Sequence, residues 1–306
     1  MALTYDQISA ITLKYYVPKM YDNVFNSNPL LQRHKKKSYE KVDGGVSVMV
    51  PLNYAVPSAS GWYAGYDTLS TTDNDQVTAA EYAWKQLYTN ITVSRLDELK
   101  NSGDAQILGL VKNKVKIAEK QMEDALGTGL FSNATDAKSI IGLRQIIATG
   151  NTVGGISQTT NSWWGANVDS TTTTLSLGTM MTQFNLSTIG SASPSVLVTT
   201  RSIYNSYYAL LQPQQRFSDS DTAAGGFASL LFNGAPVIPD SHCPSNNLFM
   251  LNEDYICLWV HKDEDMRFEP FQKPINQNVK VAKIYWMGAY GSSNIRLQGL
   301  MSAVTA

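Results

Sequence analysis

Apolar and polar residues alternate along the chain in patterns that change several times, and each change marks an element. Thr4 and Gln7 stand at capping-box spacing, and Ile8, Ile11 and Tyr15 then recur at helical steps. This predicts a first helix that Pro18 ends or kinks. The basic run Arg33, His34, Lys35, Lys36, Lys37 reads as a solvated tether, with a contact to an acidic neighbour or to enclosed DNA as the sharper alternative. Val46, Val48, Val50 and Leu52 alternate as a half-buried strand does, and Pro51 within it points to an edge or irregular strand. A return strand is expected over residues 81–93, with Tyr82, Trp84 and Tyr88 on one face and Leu87, Ile91 and Val93 on the other. Residues 57–75 between the two strands are rich in Ser, Gly, Thr and Asp. They hold Trp62, Tyr63, Tyr66 and Leu69 with no core of their own to bury them. A loop this long inside an ordered protein is functional or disordered; here it reads as an extended hairpin that packs on another subunit.

Helical spacing follows. Ser94 and Asp97 form a second capping-box pattern over a short helix broken at Gly103. Ile107, Leu110, Val111, Val115, Ala118, Met122, Ala125 and Leu126 then trace one apolar stripe, with Lys112, Lys116, Glu119 and Lys120 away from it. This predicts a long amphipathic helix over 104–126, stopped by Gly127 and Gly129. From Arg144 to Arg201 the only charged residue between the two arginines is Asp169. Trp163, Trp164 and interleaved Ile, Val and Leu supply the apolar area a disordered segment lacks, so an ordered, loop-rich domain is expected. An α/β pattern follows: helices over 176–184 and 201–211, the second ending before Pro213, and strands over 194–199, 236–238, 248–251 and 255–260. The tail reads as two long strands, 279–290 and 295–303, around Gly291.

Composition narrows the function. Charged residues make up 16% of the chain, against a usual share of about 25%, and so little charge leaves neutral surface that suits coverage by partner subunits. Lys and Arg number 24 and Asp and Glu 25; a net charge of -1 gives no basic excess for a dedicated grip on nucleic acid or an anionic membrane. The two cysteines, Cys243 and Cys257, exclude a disulfide framework and read as free thiols. Residues 1–16 lack the pattern of a signal peptide, and no apolar run reaches the roughly 18 residues of a membrane span, so the chain is expected to stay inside the producing cell. The 16 Tyr and 6 Trp are the residue types enriched where a ring is half covered by a partner.

Signals for chemistry are sparse. The chain has no nucleophile elbow, zinc-binding helix or phosphate-binding glycine loop. His242 beside Cys243 has no second pair at ligand spacing and reads as a surface loop; Cys257, between Ile256 and Leu258, reads as a strand residue. Asp219 with Asp221, and Asp263, Glu264 and Asp265, lack the calcium-loop pattern and read as solvated charges. The expectation is no enzyme, no cofactor and no metal.

The order of elements resembles the major capsid proteins of tailed bacteriophages with the HK97-like coat fold. The local likeness is carried by Ile141-Gly142-Leu143, the run Gly150 to Ile156, Trp163-Trp164, Phe232-Asn233-Gly234 with Pro236-Val237-Ile238, and Leu251-Asn252-x-x-Tyr255. The resemblance implies an α+β fold: N-terminal arm 1–43, extension loop 44–93, peripheral domain with spine helix 94–131, central axial domain 132–265, and strands 266–306 returning to the peripheral domain. It implies a non-enzymatic subunit of an icosahedral virion shell. That subunit would form pentamers and hexamers and enclose double-stranded DNA without reading its sequence. It would work with separate scaffolding and portal proteins, be held by noncovalent contacts or by separate cement proteins, and be assembled in the host cytoplasm without a membrane. Contacts between copies would fall on Tyr5, Tyr15, Arg33, Lys35, Lys36, Trp62, Tyr63, Tyr66 and Leu69. Two departures from the family stand out. No long scaffold-like segment precedes the arm, and residues 57–75 contain no Lys for the crosslink some relatives make. Competing readings are an encapsulin-type compartment shell, a tail or fibre protein with Thr-, Ser- and Trp-rich binding loops, and an α/β hydrolase.

Overall fold

A computed structural model describes residues 28–72, 74–100, 110–133, 136–215 and 230–305. The first helix expected from Thr4, with Tyr5 and Tyr15, lies outside them, as do Gly103, Asp219 and Asp221.

In chain order the elements are α1 (Pro29–Lys37), β1 (Tyr39–Val42), β2 (Ser47–Asn53), β3 (Val77–Ala83), β4 (Lys85–Ser94), α2 (Arg95–Lys100), α3 (Leu110–Leu130), α4 (Leu143–Ile146), β5 (Thr152–Val153) and β6 (Ile156–Ser157). They continue with β7 (Asn167–Asp169), β8 (Thr173–Thr174), α5 (Leu177–Leu186), β9 (Val196–Thr199), α6 (Arg201–Gln215), β10 (Leu231–Phe232) and β11 (Ala235–Pro239). The last are β12 (Leu248–Leu251), β13 (Ile256–His261), β14 (Arg267–Gln272), β15 (Val279–Ser292), β16 (Gly299–Met301) and β17 (Val304–Thr305). No helix among the described residues is long and apolar enough to cross a membrane.

The chain divides into two compact units. The described parts of the first lie within 88–122 and 268–284; the second holds 26–87, 123–267 and 285–306. In the first unit β4 and β14 flank β15. Ile91 and Val93 of β4 point inward while Asn90 and Thr92 face out, the period-2 burial of a strand with one wet face. Ala118 and Met122 are the buried residues of this unit's stretch of α3, and Lys114 Nζ donates to the Thr92 carbonyl at 2.8 Å, fastening the helix to β4.

The second unit is built on a mixed six-stranded sheet in the order β10-β11-β9-β12-β16-β7. Its central strands are Val196-Leu197-Val198-Thr199 and Leu248-Phe249-Met250-Leu251, and every residue of both is buried. Such continuous apolar runs belong to strands covered on both faces. Against one face pack Met180 and Phe184 of α5 and Ile203 and Tyr207 of α6, with Phe232, Val237 and Met301 from the sheet. β1 runs parallel to β13, and β13 pairs antiparallel with residues 288–292 of β15.

Several expectations are corrected. The basic run is no tether: it is the last turn of α1, with Leu30, Leu31 and His34 buried. The return strand is two strands broken at Trp84, one in the hairpin with β2 and one beside β15. Tyr82 and Tyr88 therefore differ in environment, Tyr82 being buried and Tyr88 exposed. The long helix runs four residues past Leu126, through both expected stop glycines. Their role is close approach: a Cβ on Gly127 would meet the Asn28 side chain at 2.6 Å, and one on Gly129 would meet Ile140 at 3.0 Å. α6 continues past Leu211 to Gln215, since a proline in a last turn forfeits only one helical hydrogen bond. The tail is a single long strand through Gly291 followed by short pieces. Gly291 lets the strand pass the Tyr82 ring, where a Cβ would stand 2.5 Å from it. The middle segment is ordered, as expected, from β5 through β9.

Candidate assembly interface

β2 and β3 pair in register from Ser47 opposite Ala83 to Asn53 opposite Val77. Among the described residues they pair only with each other, which suits the exposed Pro51. At the root Leu52, Ala80 and Tyr82 are buried. Tyr82 donates its hydroxyl to the Ser292 carbonyl at 2.7 Å and stacks on Trp259 at 5.4 Å. The hairpin thus leaves a firm base, and its loop carries the expected aromatic residues outward. Trp62 and Tyr66 are 105% exposed, Tyr63 69% and Leu69 59%.

The loop is not without local order. Ser58 N–H donates to Asn74 Oδ1 at 3.0 Å, and Asn74 Nδ2 donates to the Val56 carbonyl at 3.3 Å, tying the two limbs. Ala64 and Asp67 exchange bonds across a turn, each 2.8 Å. At the loop's origin Tyr54 stacks on Trp163, ring centres 5.2 Å apart. Trp163 lies against Trp164, which is buried and donates to the Val153 carbonyl at 3.0 Å. The paired Trp therefore serves the chain's own packing. The loop thus presents large apolar rings to water from an ordered strand base.

Arg33, Lys35 and Lys36 stand elsewhere, on α1. Arg33 grips Glu253 with both Nε and Nη2, the latter at 2.9 Å, and Lys37 adds a third contact at 3.2 Å. Glu253 is almost fully buried and also accepts from Ser195 Oγ at 2.9 Å. Burial works against its charge, but the Arg33 guanidinium, the Ser195 hydroxyl and Lys37 hold the carboxyl below its ordinary range. Lys35 pairs with Glu123 at 2.9 Å, while Lys36 is exposed. The acidic partner foreseen for the basic run thus lies within the same chain.

Sequence reading did not foresee this hub or the one beside it. His242 Nε2 lies 2.8 Å from Asp124 and Nδ1 3.2 Å from Asp240, so a side chain read as loop surface is a buried strut between α3 and the loop after β11. No spacing signal exists for such sets, because Asp124 meets His242 across 118 positions and Arg33 meets Glu253 across 220.

Among the described residues no three His, Cys, Asp or Glu gather as metal ligands. The Asp263–Asp265 group faces cations of its own chain: Lys41 on Asp265 at 2.9 Å and Arg267 on Glu264 at 2.8 Å. Burial, with Asp240 nearby, pushes the Cys243 thiol up; burial and Glu40 push Cys257 up to about 12. Both are protonated thiols at neutral pH and poor nucleophiles.

No protein-family model and no curated protein matches the chain. Solved structures do. The chain is similar to the capsid asymmetric unit of cyanophage A-1(L), at TM-score 0.77 and 16% identity over 99% of this chain and 100% of that one. It is similar to the capsid of a native GTA particle, at TM-score 0.71 and 13% identity over 99% and 100%. It also resembles the SrpI encapsulin of Synechococcus elongatus, at TM-score 0.62 and 9% identity over 99% and 96%. Likeness this low in identity and this complete in length defines the fold: the chain has the HK97-like coat fold.

Proposed function

We propose that this protein is the major capsid protein of a tailed bacteriophage, a structural subunit that assembles into the head shell around double-stranded DNA. The observation that carries the reading is the exposed aromatic loop on a full-length coat fold. A lone subunit gains nothing by holding Trp62 and Tyr66 in water, whereas burying each against a neighbour is worth about 1.5–3 kcal/mol. The loop, with Trp62, Tyr63, Tyr66 and Leu69, and the arm, with Tyr5, Tyr15 and the exposed Lys36, reach adjacent copies, while Arg33 and Lys35 are taken up by Glu253 and Glu123 of their own chain. Residues 1–43, 44–93, 94–131, 132–265 and 266–306 act as arm, extension loop, peripheral domain, axial domain and returning strands. Head-to-tail contacts of this kind close into rings, which would be pentamers and hexamers of one shell. Scaffolding and portal functions fall to other proteins, and the Lys-free loop leaves the shell to noncovalent contacts or to separate cement proteins. The protein acts by binding its own copies rather than by chemistry, in the virion, after assembly in the host cytoplasm.

Electron microscopy of the purified chain tests this. Closed shells are expected from the intact protein. Folded protein without shells is expected when Gly61–Asp73 is deleted; normal shells from the deletion would refute the role of the loop. The encapsulin likeness supports a second reading, a compartment shell. Particles taken from the producing cell decide between them: enclosed DNA supports the capsid, an enclosed enzyme the compartment.

A further inference from the structure

His34 opens the last turn of α1 with 0% exposure. Its Nε2 lies 3.1 Å from the hydroxyl of Tyr290, itself fully enclosed, and the two rings meet edge to face at 5.6 Å. Nδ1 is buried and has no hydrogen-bond partner among the described residues. A neutral imidazole tolerates this, because it owns one N–H and one bare nitrogen. An imidazolium does not, because both nitrogens then carry N–H and one of them faces nothing.

Other charged and titratable groups frame the same seat. Arg33 and Lys37 leave α1 on either side of His34 and converge on Glu253. Glu253 favours a cation at His34 and Arg33 opposes one. Tyr290 meets the ring on its Nε2 side and itself feels Cys257 and Glu253. Asp240 accepts the Leu30 N–H at 3.2 Å and Glu123 holds Lys35, fixing the start and flank of the helix. Burial is the largest influence on His34 and brings it down to about 4, with Arg33 adding to the fall and Glu253 resisting it.

We propose that the seat of α1 is an acid-sensitive latch: protonation of His34 charges a sealed site with no acceptor for one ring nitrogen, and α1 leaves its seat while the sheet behind it stays folded. The helix is held in neutral conditions by an uncharged ring and a charged Glu253. Acid reverses both states, charging the ring and neutralising the carboxylate. None of this depends on the shell reading; it holds for a single copy.

The test is hydrogen exchange by mass spectrometry on the intact chain between pH 6.5 and pH 5, corrected for the intrinsic rate. The seated ring binds its proton near pH 4 and a released one near its ordinary 6.5, so the opening constant rises by at most tenfold per pH unit and about 15-fold over this range. Peptides covering Leu30–Lys37 are expected to show that rise, and peptides covering β9 and β12 are not. His34→Gln, which keeps a polar group toward Tyr290 and does not titrate, is expected to make α1 exchange flat over the same range. Equal acid sensitivity in His34→Gln, or loss of β9 and β12 protection in step with α1, would overturn the latch. Should His34→Gln not fold, the ring resonance of His34 in the unmodified protein replaces it. Titration of that ring must track α1 exchange, and exchange that rises before the ring titrates would overturn the latch as well.

Discussion

Glu253 is the residue on which most of the local order around α1 depends. It receives Arg33, Lys37 and Ser195, and its backbone carbonyl accepts from Ser38 Oγ at 2.8 Å. Removing one partner of a buried ion pair costs more than the pair itself contributes, because the other is left uncompensated. Glu253→Ala is therefore expected to lower unfolding stability by about 3–5 kcal/mol in urea denaturation, and Lys35→Ala, at the exposed pair with Glu123, by under about 1 kcal/mol. The pH response has a definite sign. The folded carboxyl is held below its ordinary range, so its contribution is complete above the unfolded value and disappears as pH falls through the folded one. Glu253→Gln should flatten that acid limb in a series of denaturation curves. Gly291 poses the opposite problem of too little room: Gly291→Ala drives a methyl into the Tyr82 ring and should cost about 1–3 kcal/mol by overpacking.

At the scale of elements, what could be read from the chain was whatever local pattern decides. The alternation Val48-Val50-Leu52 and the all-apolar Leu248–Leu251 became β2 and β12 because side-chain period and burial are set within a few residues. The end of α3 was misjudged because Gly127 and Gly129 obey a distant constraint, the Asn28 and Ile140 side chains packed on them. The same holds for the basic run. Its sequence is that of a solvated tether, and only Glu253, 220 positions from Arg33, makes it a seated helix. The exposed aromatic loop was legible for a different reason: no residue near Trp62 or Tyr66 offered apolar cover. α5 begins where the sequence places it, because Ser176 and Thr179 cap each other's backbone amides at 3.1 and 3.3 Å. Ser176→Ala should destabilise by about 1 kcal/mol, measurable as a shift in the urea midpoint with unchanged slope.

At the scale of the whole molecule, a net charge near zero hides a division. The unit containing residues 88–122 and 268–284 carries eleven basic and seven acidic residues over its full span, and the other carries thirteen and eighteen. The loop from Tyr54 to Gln76 has Asp67, Asp73 and Asp75 and no basic residue. In the proposed shell each contact joins unlike patches of neighbouring copies, so opposite charges steer the approach without any one pair being strong. Initial assembly rates followed by light scattering should fall as salt rises from 50 to 500 mM, because exposed charges are screened over about 4–14 Å in that range. Rates indifferent to salt would mean that apolar burial alone drives the encounter.

Strand β16 occupies an inner place in the six-stranded sheet, between β12 and β7, although its residues 299–301 follow β7 by some 130 positions. A ribosome delivers β7, β9, β11 and β12 well before it delivers β16. During that interval the growing chain has an open edge on β12 and no way to close it. Contacts of such long sequence separation also form slowly, typically in milliseconds to seconds. Timing is thereby written into topology: a nascent subunit stays unfinished, and unable to present its final outer surface, until the whole of this strand has been synthesised.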